Sequence, residues 1–79
     1  MNSQELQEFQ KALGKQILTY RKKKMCTQEQ LAYEVGVTSN YIDRLENGKE
    51  DPAVNLYFQL CITLNAPFFG CCHIKQEND

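Results

Sequence analysis

The chain has 79 residues and a formal net charge of −1, which is enough for one domain with a single small core. Hydrophobic residues make up 42% of it, a fraction that is ordinary for a globular protein and argues against disorder. No apolar run approaches the roughly 20 residues of a membrane span, and the polar start MNSQELQEFQ is not a secretory signal. We therefore expect a cytoplasmic protein with one domain, residues 1–79.

Apolar residues at helical spacing predict a first helix from about Ser3 to Lys24. The inward-facing stripe of this helix consists of Leu6, Phe9, Leu13, Ile17 and Tyr20. Gly14 lies inside it, where glycine costs about 1 kcal/mol relative to alanine. That cost predicts close approach of another element at Gly14.

The segment TQEQLAYEVGVTSNYIDRLENG contains two short amphipathic patterns on either side of a tight turn. Gln30 is placed to close a capping box at the start of the first pattern, and Ile42 and Leu45 form the inner face of the second. The residues that begin and end the two predicted helices are Thr27, Gly36, Thr38 and Gly48. This layout predicts a helix-turn-helix over residues 28–47, whose second helix enters the major groove of DNA.

The C-terminal third predicts two more helices. Asp51 is a good helix cap and Pro52 is favoured at a first helical position, so a fourth helix should run from there to about Leu64. Its inner residues are Val54, Tyr57, Leu60, Cys61 and Leu64. Pro67 begins a short fifth helix, residues 68–73. The predicted fold is all-α with five helices.

Several features agree at fixed spacing along one stretch of the chain. They are the pair Ile17 and Arg21, the run TQEQLAYEVGVTSNYIDRLENGKEDP, and Leu60 and Leu64 followed by Asn65. On these features, residues from about Ile17 to Cys72 resemble the lambda-repressor-like (Cro/C1, XRE-type) helix-turn-helix domains of bacteria and phages. The resemblance implies a compact five-helix fold, usually dimeric, that binds an operator and regulates transcription. Lys24 departs from the pattern, since the family usually has glycine there.

The outward face of the third helix supplies the predicted base contacts. With Ile42 and Leu45 inside, Asn40 and Arg44 face outward and can pair bidentately with adenine and guanine, respectively. Asp43 either accepts from cytosine, holds Arg44 in place, or is simply solvated.

Phosphate contacts are predicted at both ends of the motif. Gln28 lies at a helix N-terminus, where backbone amides attract phosphate, and the resemblance implies that it contacts the DNA backbone. Asn47 and Lys49 form a second phosphate clamp, unless they only shape the turn. The full set of predicted DNA contacts is Gln28, Thr38, Ser39, Asn40, Tyr41, Asp43, Arg44, Asn47 and Lys49.

Two further roles concern the scaffold and assembly. The resemblance implies a salt bridge between Arg21 and Glu46 that joins the first helix to the third. Large apolar residues beyond the needs of the core predict a homodimer interface in the C-terminal helices, residues 52–73. The predicted interface residues are Leu56, Phe58, Ile62 and Phe69. Two recognition helices would then lie about 34 Å apart, as a pseudo-palindromic operator requires.

Three functions compete on this sequence. A small transcriptional regulator of the repressor or Cro-like kind is preferred. An antitoxin or other protein-binding module would use the same apolar patch for a protein partner. A metal or redox sensor would use Cys61, Cys71, Cys72 and His73, but no Cys-x-x-Cys spacing supports it, so we expect free thiols, no metal and no cofactor. No catalytic constellation is legible, so we expect no enzymatic activity.

Overall fold

Four α-helices make up the part of the chain that the computed structural model describes, residues 3–68. Their bounds are α1 Ser3–Lys23, α2 Gln28–Val35, α3 Ser39–Glu46 and α4 Val54–Leu64. Helix α1 packs against α3 and α4, and α2 packs against the same two helices. The all-α prediction is confirmed over these residues, and none of their helices is long and apolar enough to cross a membrane.

The helix-turn-helix begins and ends where the sequence predicts. The capping box at α2 is complete: the Gln30 amide donates to Thr27 Oγ1 at 3.0 Å, and the Thr27 amide donates to Gln30 Oε1 at 2.9 Å. Gly36 ends α2 with φ 80°, and Gly48 closes the turn after α3 with φ 74°. Both angles lie in the left-handed region that glycine tolerates best.

Helix α1 closes through a residue other than glycine. Met25 has φ 55°; its amide donates to Lys22 O at 3.0 Å, and the Cys26 amide donates to Arg21 O at 3.1 Å. These two bonds form a Schellman motif with a left-handed methionine. Lys24, where the related domains usually have glycine, only continues the turn.

The core lies where the four helices meet. Its buried hydrophobic residues are Leu13, Ile17, Leu31, Ala32, Ile42, Leu45, Tyr57, Leu60, Cys61 and Leu64. The inner face predicted for the third helix is therefore confirmed. The predicted stripe of α1 extends further than the core, since Leu6 and Phe9 are 37% and 41% exposed.

Helix α4 starts later than predicted. Ala53, not Asp51, is the capping residue, with an extended backbone and no side-chain cap bond, and Pro52 precedes the helix. Asp51 and Pro52 instead line a groove with Phe9. Val54 consequently lies at the beginning of α4 and is 73% exposed, whereas it was predicted to face inward.

The segment after α4 is tied back to α1 by a buried amide. Gln16 is buried; Tyr57 Oη donates to its Oε1 at 2.6 Å, and its Nε2 donates to Pro67 O at 2.7 Å. Phe68 lies outside any helix and packs against Tyr57, with ring centroids 4.8 Å apart. Residues 69–73 of the predicted fifth helix lie outside the described residues.

Candidate DNA interface

The inner side of α3 is fixed by close backbone packing. Gly14 is buried on α1 against the end of α3. A β-carbon at position 14 would overlap the carbonyl oxygen of Leu45 and lie 2.9 Å from that of Glu46. The close approach predicted from this glycine is confirmed, and it leaves no room for a larger residue.

A largely buried ion pair joins the same two helices. Arg21 Nε donates to Glu46 Oε2 at 2.5 Å and Arg21 Nη2 donates to Glu46 Oε1 at 3.1 Å; the two side chains are only 11% and 5% exposed. The hydrogen bond to Glu46 raises the pKa of Arg21, against the opposing effect of burial. This is the salt bridge that the resemblance implied, and it joins α1 to α3.

The side-chain amide of Gln28, at the start of α2, already makes two hydrogen bonds within the protein. Its Nε2 donates to Glu46 Oε1 at 2.9 Å and to Asp43 Oδ1 at 3.3 Å, which uses both hydrogens of the amide. A phosphate contact through this side chain requires the release of one of these bonds. The backbone amides of Gln28 and Glu29, which precede the first intrahelical bond, offer a second route to phosphate.

The outer side of α3 presents polar groups to solvent. Asn40 and Asp43 are exposed, Ser39 is half-buried, and the Arg44 side chain is 48% exposed. Residues 40, 43 and 44 occupy adjacent positions on one helical face. The donors and acceptors that the sequence assigned to base contacts are therefore accessible on one surface.

Arg44 has a partner that the sequence did not identify. Its Nε donates to Glu50 Oε2 at 2.8 Å, whereas Asp43 accepts from Gln28. The suggestion that Asp43 holds Arg44 is thus wrong for the free protein. Glu50 is six positions further along the chain, beyond the glycine turn, so only a turn that folds back makes this pair.

The remaining predicted contacts surround the ends of α3. Thr38 Oγ1 accepts from the Tyr41 amide at 3.0 Å and so caps the helix, as predicted. Asn47 Nδ2 donates to Asp43 O at 2.8 Å, which gives it a capping role at the other end. Lys49 is exposed after the turn. Lys11 of α1 is a further cation near the C-terminal end of α3. It packs so close to Gly48 that a β-carbon added at Gly48 would lie 3.1 Å from Lys11 Cα.

Tyr41 is less suited to phosphate than the sequence suggested. It is half-buried and packs against the core. Burial raises the pKa of its hydroxyl, and the nearby carboxylates of Glu50 and Asp51 raise it further. Those carboxylates would repel a phosphate at this point.

An exposed apolar stripe runs along α4. Val54, Phe58 and Ile62 are 73%, 48% and 63% exposed, and their spacing of four residues places them on one face. Leu56, which was predicted to belong to the interface, instead packs partly buried against the core. Phe69 lies outside the described residues.

Two of the four cysteines lie among the described residues. Cys26 is half-buried and its Sγ donates to Thr27 O at 3.5 Å, whereas Cys61 is buried and its Sγ donates to Pro67 O at 3.5 Å. Cys71, Cys72 and His73 lie outside the described residues. Within residues 3–68, no group of three or more His, Cys, Asp or Glu residues is arranged to hold a metal ion.

Comparison with known proteins adds the family. The model of the HTH_3 helix-turn-helix family matches residues 17–69, which is more than half of the chain. The chain belongs to the HTH_3 family, of the XRE/Cro-C1 type. Membership supports a DNA-binding transcriptional regulator rather than an enzyme, and HTH_3 regulators bind double-stranded DNA.

A solved structure agrees with the HTH_3 fold. The crystal structure of the clp gene regulator ClgR from Corynebacterium glutamicum matches with a TM-score of 0.72 at 24% sequence identity, over 87% of this chain and 83% of that chain. At this identity the match shows the shared fold alone. No curated protein matches the chain.

Proposed function

We propose that this HTH_3 protein is a small repressor or Cro-like regulator that binds a pseudo-palindromic operator as a homodimer. The observation that carries the proposal is the two-sided character of α3. Its inner side is fixed to α1 by Gly14 and the Arg21–Glu46 pair, and its outer side exposes Asn40 and Arg44. A rigid helix with accessible side chains that can each make two hydrogen bonds to one base is what base recognition in the major groove requires.

The charge around the motif supports DNA as the partner. Residues 11–49 hold eight Lys or Arg and four Asp or Glu, although the whole chain is slightly acidic. Lys49 is exposed beside the turn that follows α3, and Lys11 packs against the same turn. Cations at this end of α3 and free amides at the start of α2 would contact phosphates on both sides of the groove.

The apolar stripe on α4 supports the homodimer. Val54, Phe58 and Ile62 would be costly to leave in water, and a contiguous apolar surface of this kind is typical of an interface. A two-fold axis through the stripe buries it against its own copy. The two α3 helices then reach successive major grooves about 34 Å apart.

Selection of bound duplexes from random DNA tests this proposal. We expect two inverted half-sites whose centres are about 10 base pairs apart. If the selection enriches no duplex, the proposal of specific DNA binding is contradicted. Enrichment of isolated half-sites contradicts the dimeric arrangement.

A second function is favoured by the same stripe. An antitoxin or other protein-binding module would cover Val54, Phe58 and Ile62 with a different protein. Sedimentation of the purified full chain distinguishes a homodimer from a module that binds a different protein. If the stripe is a homodimer interface, the wild type sediments as a dimer and Ile62→Glu sediments as a monomer. The control is Tyr33→Glu, which changes an apolar residue on α2 that is 86% exposed and should leave the dimer intact. A wild-type monomer at all concentrations would favour the protein-partner function.

A further inference from the structure

The Arg44 side chain is anchored along one edge of its guanidinium group. Arg44 Nε donates to Glu50 Oε2 at 2.8 Å, and Nη2 donates more weakly to Lys49 O at 3.4 Å. Nε and one hydrogen of Nη2 form the lateral edge of the group. The terminal edge, with one hydrogen from Nη1 and one from Nη2, keeps two parallel donors, which is the fork that guanine O6 and N7 accept.

The turn after α3 places Glu50 beside Arg44. The Lys49 amide donates to Arg44 O at 2.9 Å and the Gly48 amide donates to Leu45 O at 3.0 Å. These bonds fold residues 49 and 50 back along the last turn of α3. The reversal needs a left-handed residue, and Gly48 provides it with φ 74°. The backbone of the free protein thus places the Glu50 carboxylate beside Arg44.

Stability does not account for this ion pair. The Arg44 and Glu50 side chains are 48% and 28% exposed, and pairs this exposed contribute little to folding. A carboxylate at a DNA-binding surface also opposes attraction to phosphate. Orientation of Arg44 is the benefit that remains, since a base contact requires a side chain whose rotamer is fixed beforehand.

We propose that Glu50 is a positioning residue that sets base specificity through Arg44. It holds the lateral edge of the guanidinium, so that the terminal edge meets one guanine in each half-site. Its negative charge also weakens binding to DNA that offers no guanine at that position. This inference rests on the proposed function, and it predicts a higher ratio of specific to non-specific affinity than Arg44 alone would give.

The test compares the wild type with Glu50→Ala and Glu50→Gln on three duplexes at one salt concentration. The duplexes are the one recovered by selection, the same duplex with one G·C pair changed in each half-site, and a random sequence. The pair to change is the one whose guanine preference is lost in Arg44→Ala. We expect Glu50→Ala to lower the preference for that guanine by about 3- to 10-fold and to bind the random duplex more tightly.

Glu50→Gln separates the hydrogen bond from the charge. It keeps an oxygen that accepts from Nε, so we expect it to restore part of the guanine preference while still tightening binding to random DNA. Glu34→Gln makes the same change of charge at an exposed site near the end of α2 and should leave the guanine preference unchanged.

Three outcomes overturn the inference. The first is that Glu50→Ala keeps the guanine preference of the wild type. The second is that Glu50→Ala has a higher preference, which would mean that Glu50 restrains Arg44 from binding guanine. The third is that Arg44→Ala loses no guanine preference anywhere in the duplex. If the wild type enriches no duplex at all, the proposed function itself fails and the inference fails with it.

Discussion

The two sides of α3 differ in what holds them. On the inner side, the backbone of α1 touches the backbone of α3 at Gly14, and an ion pair that is 11% and 5% exposed joins Arg21 to Glu46. On the outer side, Asn40 is exposed and Arg44 makes a pair open to solvent. The inner contacts cannot change without loss of packing, whereas the outer pair contributes little to folding and leaves Asn40 and the terminal edge of Arg44 open to another molecule.

The side chain of Gln28 bonds to both the inner and the outer side of α3. One of its amide hydrogens bonds to Glu46, which belongs to the inner ion pair, and the other bonds at 3.3 Å to Asp43 on the outer side. The longer bond is the one that we expect a phosphate to replace.

The largest expected effect comes from removal of the inner carboxylate. Glu46→Ala leaves the Arg21 guanidinium largely buried without its partner, so we expect a loss of about 3 kcal/mol in the free energy of unfolding. Urea unfolding followed by circular dichroism measures it. Glu50→Ala, which removes the outer ion pair, is the matched control and should cost less than about 1 kcal/mol. Equal costs for the two variants would contradict the distinction between the sides.

Addition of one methyl group tests the close approach of α1 and α3. Gly14→Ala should lower the free energy of unfolding by about 2 kcal/mol, because the new β-carbon overlaps Leu45 O and the helices must separate. The expected fall in Tm is about 8–16 °C. The control is Gly36→Ala, where a β-carbon meets nothing within 4 Å and only the left-handed backbone is penalised. Stabilisation by Gly14→Ala, as helix propensity alone predicts, would contradict this packing.

Removal of one outer side chain should affect DNA and spare the fold. Asn40→Ala loses a bidentate contact to adenine, which is worth about 1–3 kcal/mol in discrimination between bases. Its free energy of unfolding should change by less than about 0.5 kcal/mol, as for ordinary surface substitutions. Fluorescence anisotropy on the selected duplex gives the first quantity and urea unfolding the second. A variant that unfolds more easily but keeps its base preference would assign Asn40 to the scaffold instead.

The smallest effect is a gain in stability away from both sides. Met25 is 89% exposed and has φ 55°, so Met25→Gly should raise the free energy of unfolding by about 0.5–1 kcal/mol through relief of the left-handed backbone. Affinity for the selected duplex should not change. Lower stability in Met25→Gly would mean that the methionine side chain makes contacts that offset its strain.

Sequence reasoning succeeded where a residue type has one physical use. A glycine inside an amphipathic helix predicts close approach, and Gly14 makes it. The hydroxyl and amide of a capping box predict the start of α2, and Thr27 and Gln30 form it. The match between Arg21 and Glu46 came from the family resemblance, since no local pattern links residues 25 positions apart.

It failed where tertiary packing chooses between local options. An Asp-Pro pair suits a helix start and an extended turn equally, and the chain stays non-helical through Ala53, so that α4 begins at Val54. The end of a periodic stripe does not reveal where the core ends, so Phe9 was wrongly placed inside. Asp43 was considered as a partner of Arg44 and Glu50 was not, because only the fold of the Gly48 turn brings Glu50 beside Arg44.

Methylation interference on the selected duplex tests most directly that the outer side of α3 reads the major groove. Methylation of guanine N7 blocks the edge that an arginine fork contacts. We predict that it prevents wild-type binding at one guanine in each half-site, and that Arg44→Ala, folded and still able to bind weakly, is insensitive to methylation there. Wild-type binding that tolerates N7 methylation throughout the duplex would contradict the account.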